Sequence, residues 1–291
     1  MTAESGILVV DKPEGLTSHQ VVGRARRALG TRKIGHAGTL DPMATGVLVL
    51  GVNRGTRLLG HLALSDKRYL ATIRLGQSST TDDAEGELTP VADASQLTLA
   101  QLDAAASSLR GSISQVPSTY SAIKVAGRRA YDLARRGEAP KLAARQVEVS
   151  LLDFASPRPH DGLLDVDAVI ECSSGTYVRA IARDLGELLG TGGHLTRLRR
   201  ERVGQFSLAD AVELDEGATM LSLAQAARRS FACLEVSDEI AAQIRVGRPL
   251  SLSVPAAPTG MISPAGELLA LYQPSATGAT PMAVLVGGEP A

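Results

Sequence analysis

The sequence predicts an α+β fold built on a mixed, mainly antiparallel sheet. Three patterns lead there. In 164–172 the even positions Leu164, Val166, Ala168, Ile170 and Cys172 are apolar, with Asp165, Asp167 and Glu171 between them, the alternation of a half-buried strand. Val21, Val22, Ala25, Ala28 and Leu29, and again Val178, Ile181, Leu185 and Leu188, recur at helical spacing. Strands and helices alternate without the steady rhythm of a parallel α/β protein.

In chain order, Gly6 to Val10 is a β-branched run that breaks at Asp11-Lys12-Pro13-Glu14-Gly15, a turn by its Pro and Gly. Thr17 or Ser18 caps a helix that Gly30 ends. A glycine-containing loop, Gly35 to Pro42, leads into the apolar run Gly46 to Val52, read as a buried strand. Tyr69 to Leu75 is a strand, and Thr80 to Pro90 is acidic and turn-rich. Thr98 caps a helix closed by Gly111. Val116 to Ala144 is basic and lacks a clean period, so it reads as a partly helical excursion. Strands resume at Gln146 to Phe154 and Leu164 to Cys172, followed by a helix from Thr176 to Leu189 that Gly190 stops.

The composition changes near Cys233, beyond which prolines separate short apolar runs (Met261-Ile262, Leu268 to Tyr272, Ala283 to Val286). This predicts one large domain, 1–233, with 116–144 as an insertion, and a small β-rich module over 237–291. With 44% hydrophobic and 21% charged residues in 291, the chain can bury a sizeable core. Two cysteines and five scattered histidines give neither a disulfide framework nor a metal site. No apolar window approaches the roughly 20 residues a membrane helix needs. The expectation is a cytoplasmic protein with no metal and no membrane association.

The net charge is −1, and the aromatics are five Tyr, three Phe and no Trp. Those totals speak against a uniformly basic nucleic-acid binder and against a platform that stacks many bases. The cations, however, are clustered. Arg24, Arg26, Arg27, Arg32 and Lys33 lie in an acid-free stretch from Gly15 to Leu40. Lys124, Arg128, Arg129, Arg135, Arg136, Lys141 and Arg145 face only Asp132 and Glu138, and Arg197, Arg199, Arg200 and Arg202 only Glu201. Three such clusters in a neutral chain predict a groove for a polyanion.

The loop Gly35-His36-Ala37-Gly38-Thr39-Leu40-Asp41-Pro42 is the strongest single feature. Its glycines permit tight backbone geometry, and Pro42 biases Asp41 away from helical conformations. One carboxylate is presented at one angle just before an apolar strand.

At these residues the chain resembles the TruB family of tRNA pseudouridine synthases. The loop with Ala44-Thr45-Gly46, the opening Asp11 to Ser18 and Lys67-Arg68-Tyr69 match family motifs. So do Tyr120 to Tyr131, Cys172 to Arg179 with Asp184-Leu185-Gly186, Gly193-His194-Leu195 and Leu198-Arg199-Arg200, in family order over residues 6 to 204. Ser79, where the family often has Thr, and Ser118, where it often has Pro, depart from the pattern. The 237–291 module is similar, more loosely, to a PUA-type RNA-binding module.

The resemblance implies isomerisation of the T-loop uridine at tRNA position 55, with no cofactor and no protein partner, by a monomer. Asp41 resembles the catalytic aspartate, nucleophile or electrostatic stabiliser. Arg179 resembles its arginine partner, which would hold it ionised. Tyr69 resembles the tyrosine against the flipped uracil, Leu198 an apolar pocket wall, and His36 the residue filling the vacated stack. Lys12 and Pro13 resemble braces of the catalytic loop. The 116–144 insertion resembles an RNA-clamping segment, with Lys124, Arg128 and Arg129 on phosphate, and Arg199 and Arg200 complete the RNA contacts. A tRNA-binding or tRNA-folding protein without catalysis is the competing reading, since it needs the cations but not Asp41.

Overall fold

The computed structural model describes residues 4–120, 142–214 and 218–286, together with the backbone of 124–125 and 128–129. In chain order the elements are β1 (Gly6–Lys12), α1 (Ser18–Ala28), β2 (Ile34–His36), β3 (Thr45–Val52), α2 (Leu59–Leu62), β4 (Lys67–Leu75), β5 (Gln77–Ser79), β6 (Leu88–Pro90) and α3 (Leu99–Ala106). Then come β7 (Gly111–Gln115), β8 (Lys124–Val125), β9 (Arg128–Arg129), β10 (Arg145–His160), β11 (Leu163–Cys172), α4 (Val178–Leu189) and β12 (Gly193–Val203). The chain continues with β13 (Phe206–Ser207), β14 (Leu221–Ser222), α5 (Leu223–Ser230), β15 (Ala232–Glu235), α6 (Asp238–Arg245), β16 (Thr259–Ile262), β17 (Leu268–Ser275) and β18 (Gly278–Val284). The architecture is α+β, and the chain divides into two compact units.

The first unit comprises Met1–Pro42, Gly46–Leu64 and Val203–Ala291. In it β1 pairs antiparallel with β3 on one edge and β14 on the other, and β2 pairs with β3. β3 shows no polar alternation because both of its faces are covered. Val47 and Val49 join Ile7 and Val9 in one apolar cluster with Phe206, Ala226, Ala227, Leu268 and Leu271. Leu48, Leu50 and Val52 join Leu8 and Val10 in a second cluster with Val21, Val22 and Ala25 of α1. The C-terminal strands form a four-stranded sheet, β15-β16-β17-β18, parallel at its first pair and antiparallel elsewhere. One face of that sheet supplies Ile262, Leu268 and Leu271 to the core shared with β1 and β3; α6 packs into a third cluster through Ala241 and Ile244.

The second unit comprises Met43–Thr45 and Ser65–Arg202. Its strands run β12-β4-β11-β10-β7, with β4, β11, β10 and β7 paired antiparallel. On β4 the residues alternate strictly, Lys67, Tyr69, Ala71, Ile73 and Leu75 inward. β11 does the same from Leu164 to Cys172.

Several local expectations are refined. The helix capped by Thr98 ends at Ala106, and Gly111, at φ +74°, opens β7. The helix expected from Thr176 begins at Val178. Thr176 Oγ1 donates to Ser173 O at 3.0 Å, and the Gln115 amide takes both peptide groups of Tyr177, accepting from N at 2.9 Å and donating to O at 3.1 Å. In the basic excursion, β8 pairs antiparallel with β9; the remainder of the expected helical stretch, 121–123, 126–127 and 130–141, lies outside the described residues.

α4 packs against the start of β12 through backbone. A Cβ at Gly186 would lie 2.2 Å from Gly192 C and from Gly193 N, and the Gly186 carbonyl accepts from Thr191 N and Gly192 N. A methyl group there has only main chain to displace. Gly186→Ala should therefore destabilise the protein by about 3 kcal/mol despite the better helix propensity of alanine, measured as a shift in the urea midpoint.

Candidate active site

The Asp41 loop is held on both sides by groups drawn from the preceding β1–α1 connection. β1 ends at Lys12, whose side chain is fully buried. Its ammonium has three hydrogens and no water to give them to. They go to carbonyls: Pro13 O at 2.9 Å, Leu16 O at 2.5 Å and Pro42 O at 3.2 Å. Pro42 O also accepts from Gly15 N at 2.8 Å. On the other side of Asp41, the Ser18 hydroxyl accepts from Leu40 N at 2.8 Å and donates to Leu40 O at 3.1 Å. Ser18 is the first residue of α1, whose Thr17 and Gln20 form a reciprocal capping box.

The loop leaves β2 at His36, which pairs with Leu50. It turns at Gly38, whose φ of +91° is one that side-chain-bearing residues avoid. Asp41 is thus half-buried, with the peptide groups of Leu40 and Pro42 both fixed. Pro13 is exposed and contributes its carbonyl to Lys12; His36 is half-buried.

The second unit holds a different apparatus. Tyr69 and Leu198 are each 6% exposed, on the inward faces of the neighbouring strands β4 and β12. Arg179, 5% exposed, stands in the first turn of α4. Its Nη1 donates to Thr81 O at 2.7 Å and Ser118 Oγ at 3.2 Å, and its Nη2 to Tyr120 O at 2.7 Å. Asp83 Oδ2 lies 3.3 Å from Nη1, with both side chains nearly fully buried. One helical turn on, Arg183 pairs with Asp82 at 3.2 Å and donates to Val116 O at 2.8 Å. Burial raises the carboxyl pKa of Asp82 against the pull of Arg183. The two arginines thus tie the acidic turn 81–83 to the segment 116–120.

Ser79 and Ser118, the two departures from the motif pattern, both sit in this apparatus. Ser79 Oγ donates to Asp83 O at 2.5 Å, and Ser118 Oγ accepts from Arg179.

In the third basic cluster Arg202 is committed to carboxylates, as is Arg68 on the neighbouring strand β4. Arg202 pairs with Asp66 at 2.8 Å, and Arg68 bridges Glu171 at 2.6 Å and Glu201 at 3.1 Å. Arg199 is half-buried and donates to Thr45 Oγ1 at 3.3 Å. Arg200 is 1% exposed, and a guanidinium with no surface cannot meet a phosphate, so the RNA contact expected of Arg200 is not retained. The side chains of Lys124, Arg128 and Arg129 lie outside the described residues; their backbones form the β8–β9 pair.

Asp83, Arg183 and Lys67 carry no role in the sequence reading, although Lys67 stands in the Lys67-Arg68-Tyr69 motif. The cue for Asp83 was the acidic Ser79-to-Asp83 run in an otherwise ordinary turn. Lys67, 7% exposed, shares the inward face of β4 with Tyr69 and donates to Ser65 O at 2.5 Å. Burial, reinforced by Arg200, lowers its pKa from 10.5 to about 8. Burial likewise lifts the Cys172 thiol, its cross-strand neighbour, to about 11.

Family comparison agrees with the motif order. A model described as TruB family pseudouridylate synthase (N terminal domain) matches residues 26–178. The chain belongs to the TruB family. A second model, tRNA pseudouridylate synthase B C-terminal domain, matches 179–235. Pseudouridylate synthases are isomerases. Among curated relatives, tRNA pseudouridine synthase B of Cutibacterium acnes is 57% identical, over 94% of each chain. The protein of the same name from an Arthrobacter species is 50% identical over 96% of each. In fold, the chain is similar to one in a solved Cbf5-Nop10-Gar1 complex, with a TM-score of 0.71 at 21% identity, covering 97% of this chain and 85% of that one. Among the described residues no helix is long and apolar enough to cross a membrane.

Two outcomes follow from the buried lysines. Lys12→Met keeps length and removes three hydrogen bonds, taking the lysine donor from the Pro13 and Leu16 carbonyls and leaving Pro42 O with Gly15 N alone; it should cost about 3 kcal/mol, read from urea unfolding at pH 7. Lys67 works through protons. Between pH 8 and 10.5 the unfolded chain holds a proton on this lysine that the folded chain has lost, so its contribution to stability rises with pH across that window. The stability of wild type relative to Lys67→Met should increase by about 3 kcal/mol from pH 7 to pH 10.5.

Proposed function

We propose that the protein converts the T-loop uridine at tRNA position 55 to pseudouridine, with Asp41 as the catalytic carboxylate. The observation that supports this most directly is the two-sided fixation of the Asp41 loop. Reaction geometry is worth many kilocalories only if the reacting group is held before substrate arrives, and here the peptide groups before and after one carboxylate are both bound.

In the proposed reaction the N1–C1′ bond of the uridine breaks, the uracil rotates, C5 bonds to C1′, and the C5 proton is lost as N1 regains one. The product is an isomer of the substrate, so no cofactor enters. Asp41 acts as nucleophile or as stabiliser of the sugar cation, and Arg179 is the cation that keeps it ionised. The target base leaves its stack, because its reacting atoms are inaccessible within it. Tyr69 packs on the flipped uracil, Leu198 lines the pocket, and His36 fills the gap in the RNA. Lys12 and Pro13 brace the loop, while Lys124, Arg128, Arg129 and Arg199 contact phosphate. Residues 237–291 act as a PUA-like RNA-binding module. The enzyme works as a monomer in the cytoplasm, a reducing compartment that fits its two free cysteines.

Asp41→Asn is the decisive variant. With unmodified tRNA transcript, wild type should give pseudouridine at one T-loop position, and the variant none while still retaining the RNA on a filter. Full turnover by Asp41→Asn would refute the carboxylate assignment. A wild type that binds tRNA but leaves it unmodified would favour a tRNA-folding role.

A further inference from the structure

We propose that a cationic edge of the first unit, made of Arg24, Arg27, Arg32, Lys33 and Arg54, is a second phosphate-contact surface for the substrate RNA, separate from the residues around Asp41. The inference rests on the reading that the substrate is RNA.

The edge is assembled by specific bonds. α1 turns Val21, Val22 and Ala25 into the core, which leaves Arg24 and Arg27, one turn apart, on its solvent face. The helix stops at Gly30, and the following turn is tied to a distant part of the chain. Thr31 Oγ1 donates to Asn53 Oδ1 at 2.8 Å, and Asn53 N donates to Lys33 O at 2.7 Å. These bonds set Arg54, next to Asn53, beside Arg32 and Lys33. Arg24, Arg27, Arg32 and Lys33 are exposed, and Arg54 is partly so. Arg26, by contrast, is half-buried and donates from Nη2 to Ile34 O at 3.0 Å, a structural use.

Among the described residues the charges on this edge form no ion pairs, although the unit does pair other arginines: Arg228 with Glu235 at 2.9 Å, Arg245 with Glu267 at 3.0 Å, and Arg229 with Asp210. The sequence from Gly15 to Leu40 holds no acid. Grouped like charges repel and weaken the fold, so the arrangement works against stability in isolation. A polyphosphate backbone reverses that sign, because each neutralised phosphate releases counterions. The edge also continues along the chain, through β2, into the loop that carries Asp41.

The test is the salt dependence of binding. The triple variant Arg24→Gln/Arg27→Gln/Lys33→Gln, checked for an unchanged unfolding midpoint, and wild type are titrated with unmodified tRNA transcript on filters from roughly 50 to 200 mM salt. Each lost phosphate contact lowers the slope of log K against log salt by about 0.7–0.9, so the triple variant should be flatter by about 2 and bind more weakly at the low-salt end. Arg228→Gln/Arg245→Gln removes two cations from the same unit and should keep the wild-type slope. A wild-type slope in the triple variant overturns the proposal, as it would if the edge served an acidic protein instead. An equal loss of slope in the Arg228/Arg245 control also overturns it, since the effect would then be net charge and not this edge. Pseudouridine mapping of wild type is read separately, so a failure of the catalytic reading is distinguishable from a failure of this one.

Discussion

The buried ammonium of Lys12 is the constraint on which the N-terminal architecture turns. A charge removed from water must be repaid by several close dipoles or it is too costly to keep. Three carbonyls do this, and they come from Pro13, Leu16 and Pro42. To bring them to one point, the chain must double back directly after β1, which needs Gly15 at φ +80°. It must also begin α1 at once, with Thr17 as cap and Ser18 facing Leu40. The loop that carries Asp41 is therefore a by-product of solvating one lysine with backbone.

The second unit solves a comparable problem with arginines. A guanidinium has five donors in a rigid plane, so it can hold several loops at once where an ammonium would hold them loosely. Arg179 and Arg183 lie one turn apart on α4, and between them they hold the 81–83 turn and the carbonyls of Val116 and Tyr120. These are charge-assisted bonds, each stronger than a neutral bond. The acidic turn that sequence alone renders as surface is the counter-charge of this helix. Burial raises the pKa of Asp82 and of Asp184, the cost of packing acids and arginines together away from water.

What the sequence made legible follows from range. Periodicity reports a face in contact with a core, so β1, α1, β3, β4, β11 and α4 were readable from their own residues. The loop 35–42 was readable because glycines, proline and one acid leave few conformations. Elements whose identity depends on distant partners were not. β2 is three residues long and is defined by its pairing with residues 50–52 of β3. α6 interrupts a stretch read as β-rich, and its Ala241 and Ile244 are explained only by the sheet they cover. α4 starts two residues after the expected Thr176, where the side chain of Gln115, far back in the chain, occupies the peptide groups of Tyr177. The same holds for the site. Asp41 and Lys12 sit in motifs, whereas Asp83 and Arg183 acquire meaning only once α4 is laid beside residues 81–83.

Charge is where sequence and structure diverge most usefully. Three basic clusters look alike as strings, but burial and pairing separate them. In the cluster at 197–202, Arg200 is buried and Arg202 is matched by Asp66. These two cations stabilise the fold locally and are unavailable to a ligand. In the cluster at 24–33, Arg24, Arg27, Arg32 and Lys33 stand in solvent with no acid within that stretch. A net charge of −1 therefore averages two populations, cations neutralised inside the protein and cations held out from it. Only the second contributes a field that a polyanion can feel within a Debye length of about 10 Å. Counting arginines overstates a nucleic-acid surface, and subtracting acids from them understates it. The relevant quantity is the number of cations whose neutralisation has been left to the ligand.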